Sequence, residues 1–431
     1  MRGAILFAVV GALIVLTGLV QGWNTALTIV NMGLVSAIMA LGVNLQWGFA
    51  GLFNIGVMGF VALGGLAAVI VSMPPTTEAW QQGGAAVLGA LAVGAATIAA
   101  AIWTWTRSGL TGLAHGIAVA AVLVVGLLAF RSLFDPAVAA IEAVNPAGTG
   151  YLGGLGLPVL VAWPVGGLLA AGAAWLIGKT ALGLRSDYLA IATLGIAEII
   201  IAVMKNEDWL SRGVKNVVGL PRPVPYEVDL QADPAFVERA AALGLDPVEA
   251  STLGVKLGYM LLFAAFLVVI LVLAQLALNS PWGRMMRAIR DNETAAEAMG
   301  KDVTARHLQI FVLGSAVCGI AGAMMTTLDG QLTPGTYQPL RFTFLVWVMV
   351  IVGGSGNNYG AVLGGFLVWL LWVQVEPIGL FLIETATAGL APGNPLRVHL
   401  LDSAAHMRLL TMGILMLMVL RFAPRGLIPE R

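Results

Sequence analysis

From residue 4 onward the sequence returns to one pattern: an apolar run about as long as the ~20 residues an α-helix needs to cross a ~30 Å hydrocarbon core, then a short break. In lipid the backbone must satisfy its own hydrogen bonds, so such runs are helices. The runs fall near 4–20, 25–47, 52–73, 85–105, 116–134, 158–178, 188–204, 256–278, 308–328, 342–354, 359–378 and 407–421. Several are short or interrupted by glycine, which predicts an all-α polytopic integral membrane protein of about 10–12 transmembrane helices. Composition agrees: of 431 residues 59% are hydrophobic and 10% charged, against roughly 25% charged in an average soluble domain. An ordinary soluble enzyme is excluded. The 22 basic and 22 acidic residues cancel, so no net field would gather nucleic acid.

Arg2 followed by the apolar stretch 4–16 resembles the start of a secretory signal, but 17–22 lacks a small-x-small cleavage pattern and the stretch is read as a retained first helix. Lys and Arg in short loops favour the cytoplasm. One orientation places Arg2, Arg107, Lys179, Arg185, the group Arg284 to Arg306 and the tail Arg421, Arg425 and Arg431 on that side. Both termini are then cytoplasmic. Arg341 and Arg397 are isolated exceptions. The organisation is an N-terminal helical part, 1–204; a proline-rich extracytoplasmic segment, 205–255, with a short helical pattern from Ala235 to Leu243; and a C-terminal helical part, 256–431, whose charged cytoplasmic loop covers 279–307.

Motifs for chemistry are missing from the sequence. The closest approach to a phosphate loop, Ala173 to Thr180, lacks the leading glycine and ends an apolar helix instead of following a strand. His115, His307, His399 and His406 have no ligand spacing with the single cysteine, Cys318, and His307 beside Arg306 reads as a helix-end cation. Neither H-E-x-x-H nor G-x-S-x-G occurs. No catalytic residue, metal site or cofactor bound by this chain is expected.

The loop 280–303 divides into two short helices. Pro281 can start the first, which runs to about Arg290. Asp291 and Asn292 can cap a second, with Thr294 and Glu297 in capping-box spacing and Gly300 where a terminal glycine ends a helix. Two turns are marginal alone and need a partner surface. Ala295, Ala296 and Ala298, with Met299 at the tip, suit close docking, although a solvated connection would read the same way. Two glycine-rich breaks stand out. One, Gly48 to Gly56, carries Asn54. The other, Gly353, Gly354, Gly356, Gly360, Gly364 and Gly365, would allow either a broken or closely crossing helix or a tight turn at Asn357 and Asn358. Paired breaks in two halves point to a translocation pathway at the midplane.

Ionisable groups inside spans need a partner or a cavity. Glu198, mid-span, is expected to face the interior, with a gating role or a structural hydrogen bond both open. Arg185 and Asp187, followed by Tyr188, sit at the cytoplasmic mouth, where local pairing and a gate are both open. Glu376 and Asp329 lie near span ends, and Met324, Met325, Met416 and Met418 read as packing.

Several blocks resemble one family in order. Gly283 to Glu293 followed by Ala295 to Gly300 looks like the cytoplasmic coupling loop of ABC-transporter permeases, in the form found in the branched-chain amino acid permease family. Arg185-Ser186-Asp187-Tyr188-Leu189-Ala190-Ile191-Ala192-Thr193-Leu194-Gly195 with Glu198-Ile199 resembles the R-G-D-Y-L-A-I-x-T-L-G-x-x-E-I signature of its LivM-type subunit. Gly219 to Pro223, Gly48 to Gly56, Val352 to Gly360 and Pro424 to Pro429 complete the set. The sequence departs from that pattern at Ser186, at 210–216 and at 85–134, which looks like an insertion.

The resemblance implies a permease subunit of an ABC importer for branched-chain or related small amino acids, with urea or short-chain amides as the alternative cargo. Its partners would be a second homologous permease, two ABC ATPase subunits and an extracytoplasmic substrate-binding protein. ATP and Mg would be used by the ATPases alone. Arg290, Asp291, Glu293, Glu297, Met299 and Gly300 would couple to them. Asn54, Arg185, Asp187, Tyr188, Glu198, Gly353, Gly354 and Gly356 would line or gate the pathway. An ion-coupled secondary transporter is the competing class, supported only by Glu198.

Overall fold

In the computed structural model each apolar run is a helix; residues 2–109, 111–146, 148–184, 186–391 and 393–430 are described. Helices α1 (Arg2–Gln21) and α2 (Trp23–Val43) open the chain, and α2 continues into a wider π-helical turn, Asn44–Gly48. After an irregular stretch comes α3 (Val57–Ser72). The single turn α4 (Thr77–Ala79) and a second π turn lead into the long helices α5 (Ala85–Arg107) and α6 (Gly112–Ala143), followed by α7 (Val159–Ala181) and α8 (Ser186–Asn206). The next segment holds α9 (Asp208–Ser211), the strand β1 (Val217–Val218), α10 (Glu227–Ala232) and α11 (Pro234–Ala242). Then come α12 (Pro247–Asn279), α13 (Pro281–Asp291), α14 (Glu293–Ala298), α15 (Val303–Asp329), the strand β2 (Gln331–Leu332), α16 (Pro339–Gly353), α17 (Asn358–Ala386), α18 (Pro395–Asp402) and α19 (Met407–Phe422).

Among the described residues 10 helices are long and apolar enough to cross a membrane, and α3 and α16 are shorter apolar helices. The protein is an all-α polytopic membrane protein. One boundary moves. Residues 247–255, expected in the polar segment, form the first turns of α12, because the Asp246 side chain caps the helix by accepting from the Val248 N–H at 3.0 Å and Pro247 occupies its first turn.

The core is organised around α15, which packs against α2, α3 and α7. Lipid tails already satisfy apolar surface, so helices associate where small residues let backbones approach. A Cβ on Gly319 would lie 2.5 Å from the Gly166 carbonyl of α7, and one on Gly42 of α2 would lie 2.7 Å from the Gly314 carbonyl. Gly322 faces the Val61 carbonyl of α3. Two further bonds fix the end of α15: Trp163 Nε1 donates to Thr327 Oγ1 at 3.1 Å, and the Tyr259 hydroxyl to the Thr327 carbonyl at 3.1 Å.

Loops at one end of the bundle hold one another. Pro75 and Gly153 form a β-bridge, the Leu152 N–H donates to the Trp209 carbonyl, and β1 pairs antiparallel with β2. At this end the hairpin α5–α6 is attached, through a small cluster of Ala79, Val87, Ala137, Ile141, Leu152 and Trp209. Beyond that cluster the two helices pack on each other and expose residues such as Ile98, Trp103, Val125 and Leu128.

Candidate functional site

At the other end, both glycine breaks, the loop α13–α14 and the C-terminal tail meet, so the breaks lie at one end of the bundle and not at its midplane, because the loop and the tail bond to them directly. The wider π turn at Asn44–Gly48 turns polar side chains inward at the end of an otherwise apolar helix. Asn44 is fully buried; its Oδ1 accepts from the Gly356 N–H at 2.9 Å and its Nδ2 donates to Asn358 Oδ1 at 3.0 Å. The first break is thereby tied to the second. Gln46, also buried, donates from Nε2 to the Phe311 carbonyl at 2.9 Å and to Ser315 Oγ at 3.0 Å, which ties it to α15. Asn54 Nδ2 donates to Gln46 Oε1 at 2.8 Å, and Asn54 Oδ1 accepts from the Gly56 N–H at 2.8 Å. The loop is held from a third side by Trp347 Nε1, which donates to the Asn54 carbonyl at 3.0 Å.

The second break is both of the things its glycines allowed. It is a tight turn, with Gly354 and Gly356 at φ of 122° and 78°, where a side chain is strained. It is also a close crossing, because a Cβ on Gly353 would meet the Gly360 carbonyl of α17. The tail closes over this turn. The Leu427 N–H donates to the Val352 carbonyl at 2.9 Å, the Ile428 N–H to the Gly353 carbonyl at 2.8 Å, and Asn357 Nδ2 to the Pro429 carbonyl at 3.1 Å.

Arg290, near the end of α13, joins all of these. Its Nη1 donates to the Gly48 carbonyl and lies 2.9 Å from Glu430 Oε2 of the tail, while Nη2 lies 3.0 Å from Asp291 Oδ1. Burial alone would lower the Arg290 pKa, but the hydrogen bonds and charges of Glu430 and Asp291 outweigh it and hold it above its ordinary value. The guanidinium is a fixed charge. Helix α13 is positioned by Met286 and Ile289, both buried, with Arg284 and Arg287 on its other faces.

The short helix α14 forms where its sequence expects, with Asn292 as its cap and Thr294, expected in a capping box with Glu297, already inside the first turn. Asn292 Oδ1 accepts from the Ala295 N–H at 3.0 Å. At the far end the Lys301 N–H donates to the Ala296 carbonyl at 3.1 Å and the Gly300 N–H to the Glu297 carbonyl at 2.8 Å, with Gly300 at φ 74°. Only Ala296 of this helix is buried. Glu293 and Glu297 are exposed, and Met299 is 79% exposed at the tip. A helix of two turns with one buried side chain presents its remaining surface outward.

The remaining expected site residues lie elsewhere. Asp187 and Tyr188 are exposed at the start of α8; Arg185 lies outside the described residues. Glu198 was expected to face the interior, but it is exposed, because Thr193, Ala197 and Ile201 form the buried face of α8. That face does reach the first break: Thr193 Oγ1 accepts from the Ile55 N–H at 3.1 Å. His307, expected as an end cation, is buried instead, with Nε2 unpartnered. Glu376, expected near a span end, sits well inside α17 and pairs with Arg408 of α19, because the helix continues to Ala386. Asn44, Gln46, Thr193 and Glu430 were not singled out from the sequence, although Asn44-Leu45-Gln46 at the end of a long apolar run is the signal that marks the first two.

Among the described residues no group of three His, Cys, Asp or Glu side chains could hold a metal ion. In this arrangement a helix pair at the surface is linked through Arg290 to the first break and to the tail that covers the second.

The sequence model of a family described as "Branched-chain amino acid transport system / permease component" matches residues 104–420. The chain is 28% identical over 248 residues to the probable branched-chain amino acid transport permease protein LivM of Methanocaldococcus jannaschii, which covers 58% of this chain and 61% of that one. It is 29% identical over 219 residues to the high-affinity branched-chain amino acid transport system permease protein LivM of Escherichia coli, covering 49% and 50%. A shorter match, 27% over 105 residues, is to the fructose import permease protein FrcC of Rhizobium meliloti, covering 23% and 29%. The chain thus spans between half and about three fifths of the LivM proteins it matches. No solved structure matches it.

Proposed function

We propose a function from one premise: the chain belongs to the branched-chain amino acid transport permease family. It is the membrane-spanning subunit of an ABC importer for branched-chain or related small amino acids. A second permease, two ABC ATPases that use ATP and Mg, and an extracytoplasmic binding protein complete the assembly. Both termini and the α13–α14 loop face the cytoplasm of an inner membrane. ATP hydrolysis belongs to the partners.

The observation that carries this reading is the Arg290 junction. ATPases closing on α14 would load Met299, Glu293, Glu297 and the Gly300 turn. The load passes to α13 and through Arg290 to the Gly48 carbonyl. From there Asn44 carries it to Gly356 and Asn358, so that α2, α16 and α17 move as a connected set. Asn54, Gly353, Gly354 and Gly356 are the hinges of that movement. Asp187, Tyr188 and Glu198 lie on the exposed side of α8, where a second permease would cover them and give Glu198 the partner an intramembrane carboxylate needs.

Affinity purification in detergent, followed by mass spectrometry, tests the reading with wild type and with residues 291–300 scrambled. Two ATPases and a second permease should accompany wild type, and the scrambled chain should keep the permease while losing the ATPases. A chain that purifies alone, and whose vesicles accumulate solute on an ion gradient without ATP, refutes it.

A further inference from the structure

Between α2, α3, α15, α16 and α17 lies a cavity of about 270 Å³, separate from the Arg290 junction. Its wall is built largely of five methionines, Met32, Met39, Met58, Met325 and Met349. Methionine is unbranched and polarisable, and it adapts to apolar groups of differing shape. A wall of this kind suits a ligand with a small branched or unbranched aliphatic group.

The lining also carries polar groups, Ser36, Thr336, Asp329 and the indole N–H of Trp369, and the last two are complementary in what they attract. Asp329 is the last residue of α15, and it is exposed. The C-terminus of a helix carries partial negative charge, so a carboxylate placed there adds to the charge already present. No ion pair to Asp329 exists among the described residues. A cation at this end of the cavity would be attracted by both the side chain and the helix. The second group is Trp369 of α17, whose indole Nε1 is buried and, among the described residues, has no hydrogen-bond partner. Indole N–H is a donor only, and leaving it unpaired in an apolar wall is costly. An anionic oxygen would satisfy it.

We propose that this cavity is the chain's own cargo site and that it takes a zwitterionic α-amino acid with an aliphatic side chain. The ammonium pairs with Asp329 and the end of α15, the carboxylate accepts from Trp369 Nε1, and the side chain lies among the methionines. The inference rests on the permease reading and adds to it a site within this subunit. Selection by the cavity would then reinforce whatever the binding protein selects.

The test uses the chain's cysteine content. Cys318 is the single cysteine and it is buried, so Thr336→Cys, at an exposed position of the cavity lining, places one reachable thiol at the site. The full chain in lipid nanodiscs is labelled with a small methanethiosulfonate reagent. L-leucine should slow labelling, whereas isopentylamine, without the carboxylate, and isocaproate, without the amine, should each need about tenfold higher concentration, as the loss of one charge-assisted bond implies. Asp329→Asn and Trp369→Phe in the same background should each weaken leucine protection by about tenfold. The two analogues act on an unmutated site, so the test stands even if Asp329→Asn fails to fold.

No protection of Thr336→Cys by leucine, protection by either analogue at the concentration at which leucine itself acts, or protection by acetamide or urea in place of leucine overturns the proposal. ATP-driven uptake in reconstituted vesicles separates the two readings. Uptake that persists without leucine protection removes the cavity alone. Protection without any ATP-driven uptake removes the importer and leaves the cavity.

Discussion

The strongest mechanical claim concerns Arg290, and its cost can be worked out from its partners. Arg290→Gln removes three interactions. The ion pair to Asp291 involves a carboxylate 66% exposed, and such a pair contributes about 0–1 kcal/mol. The pair to Glu430, with side chains 23% and 31% exposed, contributes near the upper end of that range. The charge-assisted bond to the Gly48 carbonyl contributes more, about 1.5–3 kcal/mol. Arg290→Gln should therefore loosen the first break by about 2–4 kcal/mol, whereas Glu430→Gln, which leaves the Gly48 bond in place, should cost about 1 kcal/mol. Hydrogen exchange read by mass spectrometry on the peptide covering 48–56, in nanodiscs, reports this opening directly. At 1.4 kcal/mol per factor of ten, exchange should accelerate by about 25-fold or more in Arg290→Gln and by about fivefold in Glu430→Gln. Equal acceleration in the two variants would show that the tail, and not the Gly48 carbonyl, holds the loop. Unchanged exchange in Arg290→Gln would remove the junction from the coupling route.

Other outcomes follow from the same geometry. Gly319→Ala drives a methyl group to 2.5 Å from the Gly166 carbonyl and should destabilise the bundle by about 1–3 kcal/mol in thermal unfolding; Gly172→Ala in α7 has open space around it and should be neutral or stabilising. Asn44→Ala leaves the buried Gly356 N–H and Asn358 amide without a partner, so its cost should approach about 2–4 kcal/mol, above the average of about 0.6 kcal/mol for a single hydrogen bond between membrane helices. A smaller loss would mean that the two breaks are held by packing. Because the Arg290 pKa is raised in the folded protein, its contribution is fully present below the unfolded value and is lost only as pH rises through the folded one. The exchange protection of 48–56 should be insensitive to pH between about 7 and 10 once intrinsic exchange is corrected, and a loss of protection in that window would count against a fixed charge there.

The helices were legible because each apolar run carries its own length signal, and the α13–α14 loop because Pro281, Asn292 and Gly300 are local instructions that need no tertiary context. What a residue faces is a different kind of fact. Glu198 follows Ala197 in an apolar run, and only the packing of α8 through Thr193 and Ile201 decides that the glutamate points outward. The same holds for His307, whose neighbour Arg306 suggests an exposed helix start although the ring turns into the core. The glycine breaks were visible one by one, but nothing local says that Asn44 reaches Gly356 across 312 positions, or that Glu430 closes on Arg290. The five cavity methionines are scattered from Met32 to Met349, and no period or spacing along the chain collects them.

The hairpin α5–α6 is joined to the rest at one end only. A pair of crossings leaves and returns on the same face, so its presence reverses the direction of none of the helices that follow. An odd number of long helices there would turn α12 and every later helix end for end, whereas a pair keeps their direction and leaves two helices packed on each other with Ile98, Trp103, Val125 and Leu128 facing outward.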